Sequence, residues 1–416
     1  MLSRRMAWSV ALVATLTMSV SYIDRNAFGV LAPKVSEALG IDNAAYGWLA
    51  AAFSWSYLVA TPLAGWWIDL VGARRGLLRS VLAWSVVAAL HAVVPGFGVL
   101  FALRLALGIA EGPSFPGAAQ TMRRILPVGD QARGFGVLFT GSSFGAMLVP
   151  PFATLIYRHA GWRVAFLITT AAGLLWVPLW LAVTRSRTVR AQLDTASASE
   201  AVAPPHLPFS ELVAHPVMVR ALAAIFAAAP VVSFVYAWGA KYLVKAFHVD
   251  QGDVGGYLAV PPLMFDVIAI LFGHLASRQR RGEGVPPRGL FAIGVVLAAS
   301  FTVLPFAETP WQSIVLIGLA MGGGGVMYTL VTADMLVRMP PGSAAFAAGI
   351  VACAQSLALA ICNPLIGRSV DAYGSYDVAA ICIGLWTIPG GVVWLLWRPA
   401  LRVIPRAELI AGRAAG

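Results

Sequence analysis

Six ionisable residues lie inside long apolar stretches of this sequence, where charged side chains are rare. Three are acidic and three are basic: Asp24, Arg25, Arg104, Glu111, Lys241 and Asp266. On membrane-insertion scales each costs about 2.5 to 3.5 kcal/mol at the centre of a helix, so six unpaired groups would cost roughly 15 to 20 kcal/mol. That sum exceeds the whole stability of a typical protein. We therefore expect these residues to face a polar cavity or one another.

Helical spacing predicts how these residues are arranged. Arg104 and Glu111 are seven residues apart, which places them on one helix face, about 10 Å apart along the axis. Tyr22 and Arg25 share a face at positions i and i+3, whereas Asp24 points about 100° away from Arg25. The planar guanidinium of Arg25 suits a carboxylate, because it can donate two parallel hydrogen bonds.

Two carboxyl groups in the first half of the chain, Asp24 and Glu111, can change charge near neutral pH. Apolar surroundings favour the protonated form of a carboxyl group, and a nearby arginine favours the ionised form. A carboxyl group that alternates between these surroundings binds and releases a proton, which predicts proton coupling. Lys241, from the second half, offers a second cation, and cations from both halves would favour an anionic substrate.

The composition is that of a membrane protein. Of 416 residues, 59% are hydrophobic and 11% are charged, whereas roughly a quarter are charged in soluble proteins. Windows of about 20 residues predict twelve transmembrane segments, centred near residues 20, 57, 86, 110, 146, 173, 231, 264, 297, 324, 357 and 387. Open sheets cannot cross lipid, so these segments are predicted to be helices. The net charge of +11 does not indicate nucleic-acid binding, because 21 of the 29 Lys and Arg residues fall in segments on one side of the predicted membrane. Such a bias is typical of the cytoplasmic side, and it predicts that both termini are cytoplasmic.

One polar segment, rich in Ser, Ala, Pro and charge, divides the predicted helices six and six. We predict four regions: an N-terminal half (1–184), a cytoplasmic linker (185–216), a C-terminal half (217–398) and a cytoplasmic tail (399–416). A weak internal repeat supports this division, since Gly65–Gly76 after the second segment has a degraded counterpart at Gly273–Gly282 after the eighth. Two similar halves with a site between them are typical of alternating-access transporters.

No metal site, cofactor or enzymatic chemistry is expected. Cys353, Cys362 and Cys382 lie in apolar segments without CxxC spacing. The stretch Gly141–Gly145 matches the GxSxG pattern of hydrolases, but it lies inside a predicted span, where close helix packing explains its small residues better. The sequence lacks a Walker-type loop, which excludes an ATP-driven pump within this chain.

Several short motifs occur in the order found in the major facilitator superfamily. Gly65-x3-Asp69-x2-Gly72-x-Arg74-Arg75 resembles the superfamily's loop motif between helices two and three. Four further stretches resemble its anion:cation symporter branch, which includes hexuronate and galactonate transporters: Tyr22–Arg25, Arg104–Pro116, Gly141–Pro151 and Trp238–Leu243. The sequence departs from the patterns of this branch at Thr61, Phe139 and Ala240.

The resemblance implies an all-α membrane protein with twelve transmembrane helices in two pseudo-symmetric six-helix halves. It also implies a secondary active transporter that takes up an organic anion with protons, by alternating access. The expected anion is a sugar acid such as a hexuronate or aldonate, or another monocarboxylate. The matching residues imply that Asp24 and Glu111 carry protons and that Arg25 holds the substrate. Arg104 would be the counter-charge that competes for Glu111.

Further residues complete the predicted site. We expect aromatic and polar residues on the spans to line the substrate cavity together with Arg25: Tyr22, Tyr57, Lys241, Trp238, Ser142, Gln355 and Asn363. Loop residues are predicted to gate transport, because ion pairs and helix-end contacts can latch one conformation: Gly65, Asp69, Gly72, Arg74 and Arg75. The expected location is the inner membrane of a bacterium, where the protein would act as a monomer in the lipid bilayer.

Two other functions stay open. An organophosphate or other anion antiporter of the same superfamily would also combine an arginine on the first helix with a cation on the seventh. The acid at Asp24 favours a proton carrier over such an antiporter. A protein with the transporter fold that senses an anion without moving it is the second alternative.

Overall fold

The computed structural model describes residues 2–194, 209–279, 287–339 and 344–399, which form helices and no strand. The first half contains seven helices: α1 (Arg4–Leu39), α2 (Asn43–Val71), α3 (Ala73–Leu90), α4 (Phe97–Glu111), α5 (Ser114–Ile125), α6 (Val128–Val183) and α7 (Arg187–Asp194). Helix α6 bends sharply at Gly161, whose φ of 77° is a left-handed conformation that glycine adopts readily. The predicted all-α architecture is confirmed.

The second half contains nine helices within the described ranges. They are α8 (Phe209–Ala214), α9 (Pro216–Ser233), α10 (Gly239–Phe247), α11 (Val254–Leu258), α12 (Val260–Gln279), α13 (Arg288–Ala299), α14 (Pro310–Arg338), α15 (Ala344–Tyr373) and α16 (Asp377–Leu396). A π-helical turn, Phe234–Trp238, joins α9 to α10 and inserts one extra residue into the helical register.

Ten helical stretches in the described residues are long and apolar enough to cross a bilayer. One of them, Gly129–Val183, contains the break at Gly161 and has the length of two crossings. Helix α2 is not among the ten, although its 29 residues would span a bilayer by length. The count of twelve transmembrane helices therefore stays a prediction.

Side-chain and backbone caps fix where several helices begin and end. Ser3 accepts a hydrogen bond from the Met6 backbone N–H at the start of α1, and Asp42 does the same for Ala45 at the start of α2. Gly40 ends α1 in the left-handed conformation, with φ at 62°. Three residues, 40–42, therefore separate the end of α1 from the start of α2.

The two halves meet closely at the end of the bundle where α1 finishes, which we call the far end. Asn43 and the backbone N–H of Ala44 both donate to Asp371, over 2.8 and 2.7 Å, and Gln251 donates to the carbonyl of Val30 over 2.8 Å. Small residues allow backbone contact here: a Cβ on Gly47 would lie 2.5 Å from the Asn363 carbonyl oxygen. The far end is therefore closed.

The other end of the bundle, where α1 begins, we call the arginine-rich end. Its ion pairs each join residues of one half: Arg4 with Asp130, Arg74 with Asp194, and Asp334 with Arg220 and Arg338. The four predicted regions stay predictions. Residues 195–208 of the predicted linker, the tail beyond residue 399, and Arg280 to Gly282 of the repeat lie outside the described residues.

Candidate functional site

The centre of the site is an ion pair between α1 and α4. Arg25 donates from Nε and from one terminal nitrogen to Oε2 of Glu111, over 3.2 and 2.9 Å. Ser21, one turn earlier on α1, donates to the same oxygen over 2.7 Å. Glu111 is completely buried, whereas 20% of the Arg25 side chain remains exposed. The arginine is thus the accessible member of the pair.

Three aromatic rings surround the guanidinium of Arg25. Its central carbon lies 4.8, 4.5 and 4.7 Å from the ring centroids of Tyr22, Phe53 and Tyr57. Rings at these distances attract a cation and restrict the rotamers of its side chain. The predicted residues Tyr22 and Tyr57 therefore do lie with Arg25, and Phe53, which was not singled out, lies with them.

Glu111 occupies a break between two helices. It is the last residue of α4, and Gly112 and Pro113 separate it from α5. Its second oxygen, Oε1, is buried and has no hydrogen-bond partner. A Cβ on Gly108, one turn earlier, would lie 2.5 Å from the Phe53 carbonyl oxygen, so this glycine lets α2 approach α4 closely. That approach brings Phe53 and Tyr57 onto Arg25.

Asp24 faces a different space from Arg25. It lines a cleft within the first half, together with His91 and Arg104, that is too narrow to hold a water molecule. Asp24 is 3% exposed, and neither of its carboxylate oxygens accepts a hydrogen bond from the residues that the structure describes. The indole N–H of Trp84 lies near this carboxylate without hydrogen-bonding geometry. Asp24 is therefore not a neutralising partner of its neighbour Arg25.

Arg104 belongs to the Asp24 cleft, and it forms no ion pair with Glu111. Its Nε donates to the carbonyl of Leu49 over 3.3 Å, and its guanidinium carbon lies 4.5 Å from the ring centroid of Phe28. One terminal nitrogen is buried without a partner. In this conformation the cation in contact with Glu111 is Arg25 of α1, since two residues seven apart on one helix lie about 10 Å apart along the axis. The role of Arg104 as a competing counter-charge stays a prediction.

Lys241 lies far from Arg25. Its ammonium group donates to Ser36 over 3.1 Å and lies 4.5 Å from the ring centroid of Tyr46. Ser36 is eleven residues beyond Arg25 on α1, or about 16 Å along the axis. The expectation of two cations in one cavity is therefore not met in this conformation.

Trp238 and Asn363 hydrogen-bond to each other rather than facing the Arg25 cavity. The buried indole N–H of Trp238 donates to Oδ1 of Asn363 over 2.9 Å, and Ser233 donates to the same oxygen over 3.1 Å. Both residues belong to the closed contact at the far end. Gln355, on α15, is half-buried, and its side chain has no hydrogen-bond partner within the described ranges.

On α6, Ser142 bonds its own helix, whereas its neighbour Ser143 reaches the second half. Ser142 donates to the carbonyl of Phe139 over 2.7 Å. Ser143 donates over 2.8 Å to Oδ1 of Asp266, near the middle of the span Val254–Gln279. Asp266 is half-buried, so the second half contributes an acid at this depth.

Comparison with known proteins identifies the family. The family model described as Major Facilitator Superfamily matches residues 14–361. The chain belongs to the Major Facilitator Superfamily. The resemblance seen in its motifs is confirmed, and the protein is a multi-pass integral membrane transporter rather than an enzyme.

Relatives of this superfamily member cover most of its length. The probable galactarate/D-glucarate transporter of Bacillus subtilis is 22% identical and covers 96% of this chain, with 94% of its own length matched. The hexuronate transporter of Escherichia coli K12 is 24% identical, with 95% of each chain matched. The fold resembles that of a bacterial homologue of the human lysosomal transporter Spinster, with a TM-score of 0.78, 16% identity, and 96% and 100% of the two chains matched.

The superfamily loop motif of this transporter contacts α7. Arg74 and Arg75 lie 3.2 and 3.7 Å from a carboxylate oxygen of Asp194, at the end of α7. Gly72 has a φ of 83°, and a Cβ there would lie 2.7 Å from the Leu193 carbonyl oxygen, so both its backbone and its surroundings require glycine.

The remaining loop residues divide between a contact and open space. Asp69 accepts a hydrogen bond from Gln120 on α5, whereas no atom lies within 4 Å of a Cβ placed on Gly65. The contacts of the loop are thus made within the first half, and its gating role stays a prediction.

Sequence reasoning missed three residues of the site. Ser21 lies one turn before Arg25 on the same helix face, so it could have been expected to donate to the same carboxylate as the arginine. Phe53 lies four residues before Tyr57, on the same face of α2. His91 lies in a short 3-10 turn after α3, and the sequence carries no signal that places it beside Asp24.

Proposed function

We propose that this transporter couples the movement of an organic anion to protons, and that its substrate is a sugar acid of the hexuronate or aldonate class. The observation that carries this proposal is the accessible Arg25, held by three aromatic rings and paired to a single oxygen of the buried Glu111. A planar guanidinium is suited to bidentate recognition of a carboxylate.

The ion pair supplies a route for exchange. An incoming carboxylate competes with Glu111 for Arg25, because both need the same guanidinium edge. When a proton binds Glu111, the ionic attraction to Arg25 is lost, and the arginine becomes free to bind the substrate. When the substrate leaves, the pair re-forms and the proton is released. Binding of the anion and of the proton therefore favour each other.

Asp24 supplies a second candidate for the proton. A buried carboxylate without a hydrogen bond is very unfavourable, whereas the neutral acid is tolerated. Arg104, with an unpaired terminal nitrogen in the same cleft, would stabilise the ionised form after a small movement. A change in the cleft during transport would therefore bind or release a proton at Asp24.

The activities for which the relatives are named support the substrate class. Both are transporters of sugar acids by name: galactarate and D-glucarate in one case, and hexuronate in the other.

We also infer the orientation of the protein in the membrane and the side to which its cavity opens. The bias of Lys and Arg residues favours a cytoplasmic location for the arginine-rich end. Since the halves meet at the far end, the structure would then be open inward, and the loop motif would gate the open side.

The organophosphate antiport alternative would need a second cation beside Arg25. Lys241 is the candidate on the seventh span, and it lies at the far end against Ser36. The contacts of Arg25 therefore favour a monocarboxylate site over a phosphate site.

The proposal is tested by purifying the protein and screening sugar acids, short monocarboxylates and sugar phosphates for thermal stabilisation, since a bound ligand stabilises the folded state. The ligand found is then followed into proteoliposomes under an imposed pH gradient. We expect Glu111→Gln to exchange substrate without accumulating it, and Arg25→Lys to weaken binding at least tenfold.

The matched control is Glu37→Gln, because Glu37 is 69% exposed and pairs only with Lys34 on the same helix turn. It should behave as the unmodified protein. Undiminished accumulation by Glu111→Gln would contradict the coupling role, and undiminished affinity in Arg25→Lys would move the carboxylate site elsewhere.

A further inference from the structure

Asp266 is an acid placed across the central space from Arg25. Ser143 on α6 occupies one of its oxygens, Oδ1, over 2.8 Å. No hydrogen bond to the other oxygen, Oδ2, is formed by the residues that the structure describes, and the side chain is half-buried. A carboxylate oxygen without a partner accepts hydrogen bonds.

Helix α6 packs on both α1, which carries Arg25, and α12, which carries Asp266. Helix α6 packs on α1 here, because Ser19 donates to the Gly141 carbonyl over 2.8 Å, two residues before Ser143. The backbone of the π-helical turn contacts Gly29, one turn beyond Arg25. Ser19 lies six residues before Arg25 on α1, or about 9 Å along the axis, so Asp266 lies on the side of Arg25 that faces the arginine-rich end.

The cations that the structure describes in the second half lie toward the two ends of the bundle rather than beside Asp266. Lys241 is at the far end, and Arg220 and Arg338 pair with Asp334 at the arginine-rich end. A substrate whose carboxylate is on Arg25 thus has an acid, and not a second cation, in front of its other end.

We propose that Asp266 makes the site selective for substrates with one anionic group and a hydroxyl-bearing tail. A terminal hydroxyl donates to the free oxygen of Asp266, whereas a second carboxylate at that position faces a like charge. This inference rests on the proposed function, and it goes further by separating monoacids from diacids. The relatives leave that choice open, because galactarate and D-glucarate are diacids and hexuronates are monoacids.

D-Galactonate and galactarate form a matched pair of ligands. Both have six carbons and one carboxylate in common, and they differ at the other end, which is a hydroxymethyl group in the first and a carboxylate in the second. We expect the unmodified protein to bind galactonate at least tenfold more tightly than galactarate. The two affinities are measured by competition of each ligand against uptake of a labelled sugar acid into proteoliposomes, and by thermal stabilisation of the purified protein.

Variants at one position separate selectivity from folding. Asp266→Asn keeps the size and removes the charge, and we expect the preference to fall to about threefold or less, mainly because galactarate improves. Asp266→Glu keeps the charge and should keep the preference. Glu37→Gln removes an exposed acid and should leave the ratio unchanged. The binding measurement still reports the ratio if Asp266→Asn binds without transporting.

Two failures are distinguishable. Equal affinity of the unmodified protein for both ligands, or an unchanged ratio in Asp266→Asn, overturns the role of Asp266 while sugar-acid transport stands. If neither these ligands nor any other sugar acid stabilises the unmodified protein, the proposed function is wrong, and the selectivity proposal is overturned with it.

Discussion

The ion pair between Arg25 and Glu111 predicts that removing the arginine lowers the stability of the protein more than removing the carboxylate charge does. Glu111 is fully buried, so Arg25→Ala leaves a buried carboxylate with Ser21 as its one remaining donor. Removing one partner of a buried pair costs about 3 to 5 kcal/mol. Glu111→Gln leaves an arginine that is 20% exposed and still contacts three rings, so it should cost about 1 kcal/mol or less.

The double variant Arg25→Ala with Glu111→Gln should be more stable than Arg25→Ala alone. It leaves no unpaired charge at the positions of Arg25 and Glu111, and we expect it to recover about 2 to 3 kcal/mol, a coupling typical of residues in contact. Unfolding is followed by intrinsic fluorescence in detergent, since the chain has 14 tryptophans. A double variant as unstable as Arg25→Ala would refute the reasoning, because the burial of Glu111 would then not be the source of the cost.

Three further predictions concern other parts of the molecule. Asp24→Asn should leave the stability of the protein unchanged or raise it, since neither carboxylate oxygen has a hydrogen-bond partner among the described residues. The variant should still exchange substrate but accumulate less of it under a pH gradient. A loss of stability would show that the carboxylate does have a partner. Gly29→Ala should block closure of the far end, because its Cβ would collide with a carbonyl of the π-helical turn, whereas Gly136→Ala, with open space around it, should transport normally. Asp371→Asn should weaken two hydrogen bonds across the far end, by about 1 kcal/mol each. The far end should then open more often, so a cysteine placed there by Ser36→Cys should be alkylated at least several-fold faster. An unchanged alkylation rate would show that these hydrogen bonds do not hold the far end closed.

Hydrophobic segments were enough to predict the fold class, because the bilayer imposes one length and one type of secondary structure on each crossing. The side-by-side arrangement of Asp24 and Arg25 was also predictable, since adjacent helical residues point about 100° apart. That angle places Arg25 on Glu111 and Asp24 in the cleft with Arg104. Contacts between different helices depend on helix rotation and depth, and so the partner of Glu111 was not predictable from spacing within α4.

Lys241 was predicted to share the cavity of Arg25, but it contacts Ser36, about 16 Å from Arg25 along α1. The sequence assigns Lys241 to the seventh span, but it does not give the depth of a residue relative to residues of another helix. Asp266 shows the opposite case, because its charge was visible in the sequence, but its opposition to Arg25 needed the packing of α6 and α12.

The pairing of Arg25 with Glu111 also determines how the membrane voltage acts on the proposed cycle. In the empty transporter the two charges cancel. With a monoanion on Arg25 and a proton on Glu111 they cancel again, so the central site has the same net charge empty and loaded. Voltage then does no work on either form through this pair. A second proton on Asp24 would add one elementary charge, which is worth about 2.3 kcal/mol per 100 mV if it crosses the whole field. The electrical sensitivity of transport would therefore report on Asp24 alone.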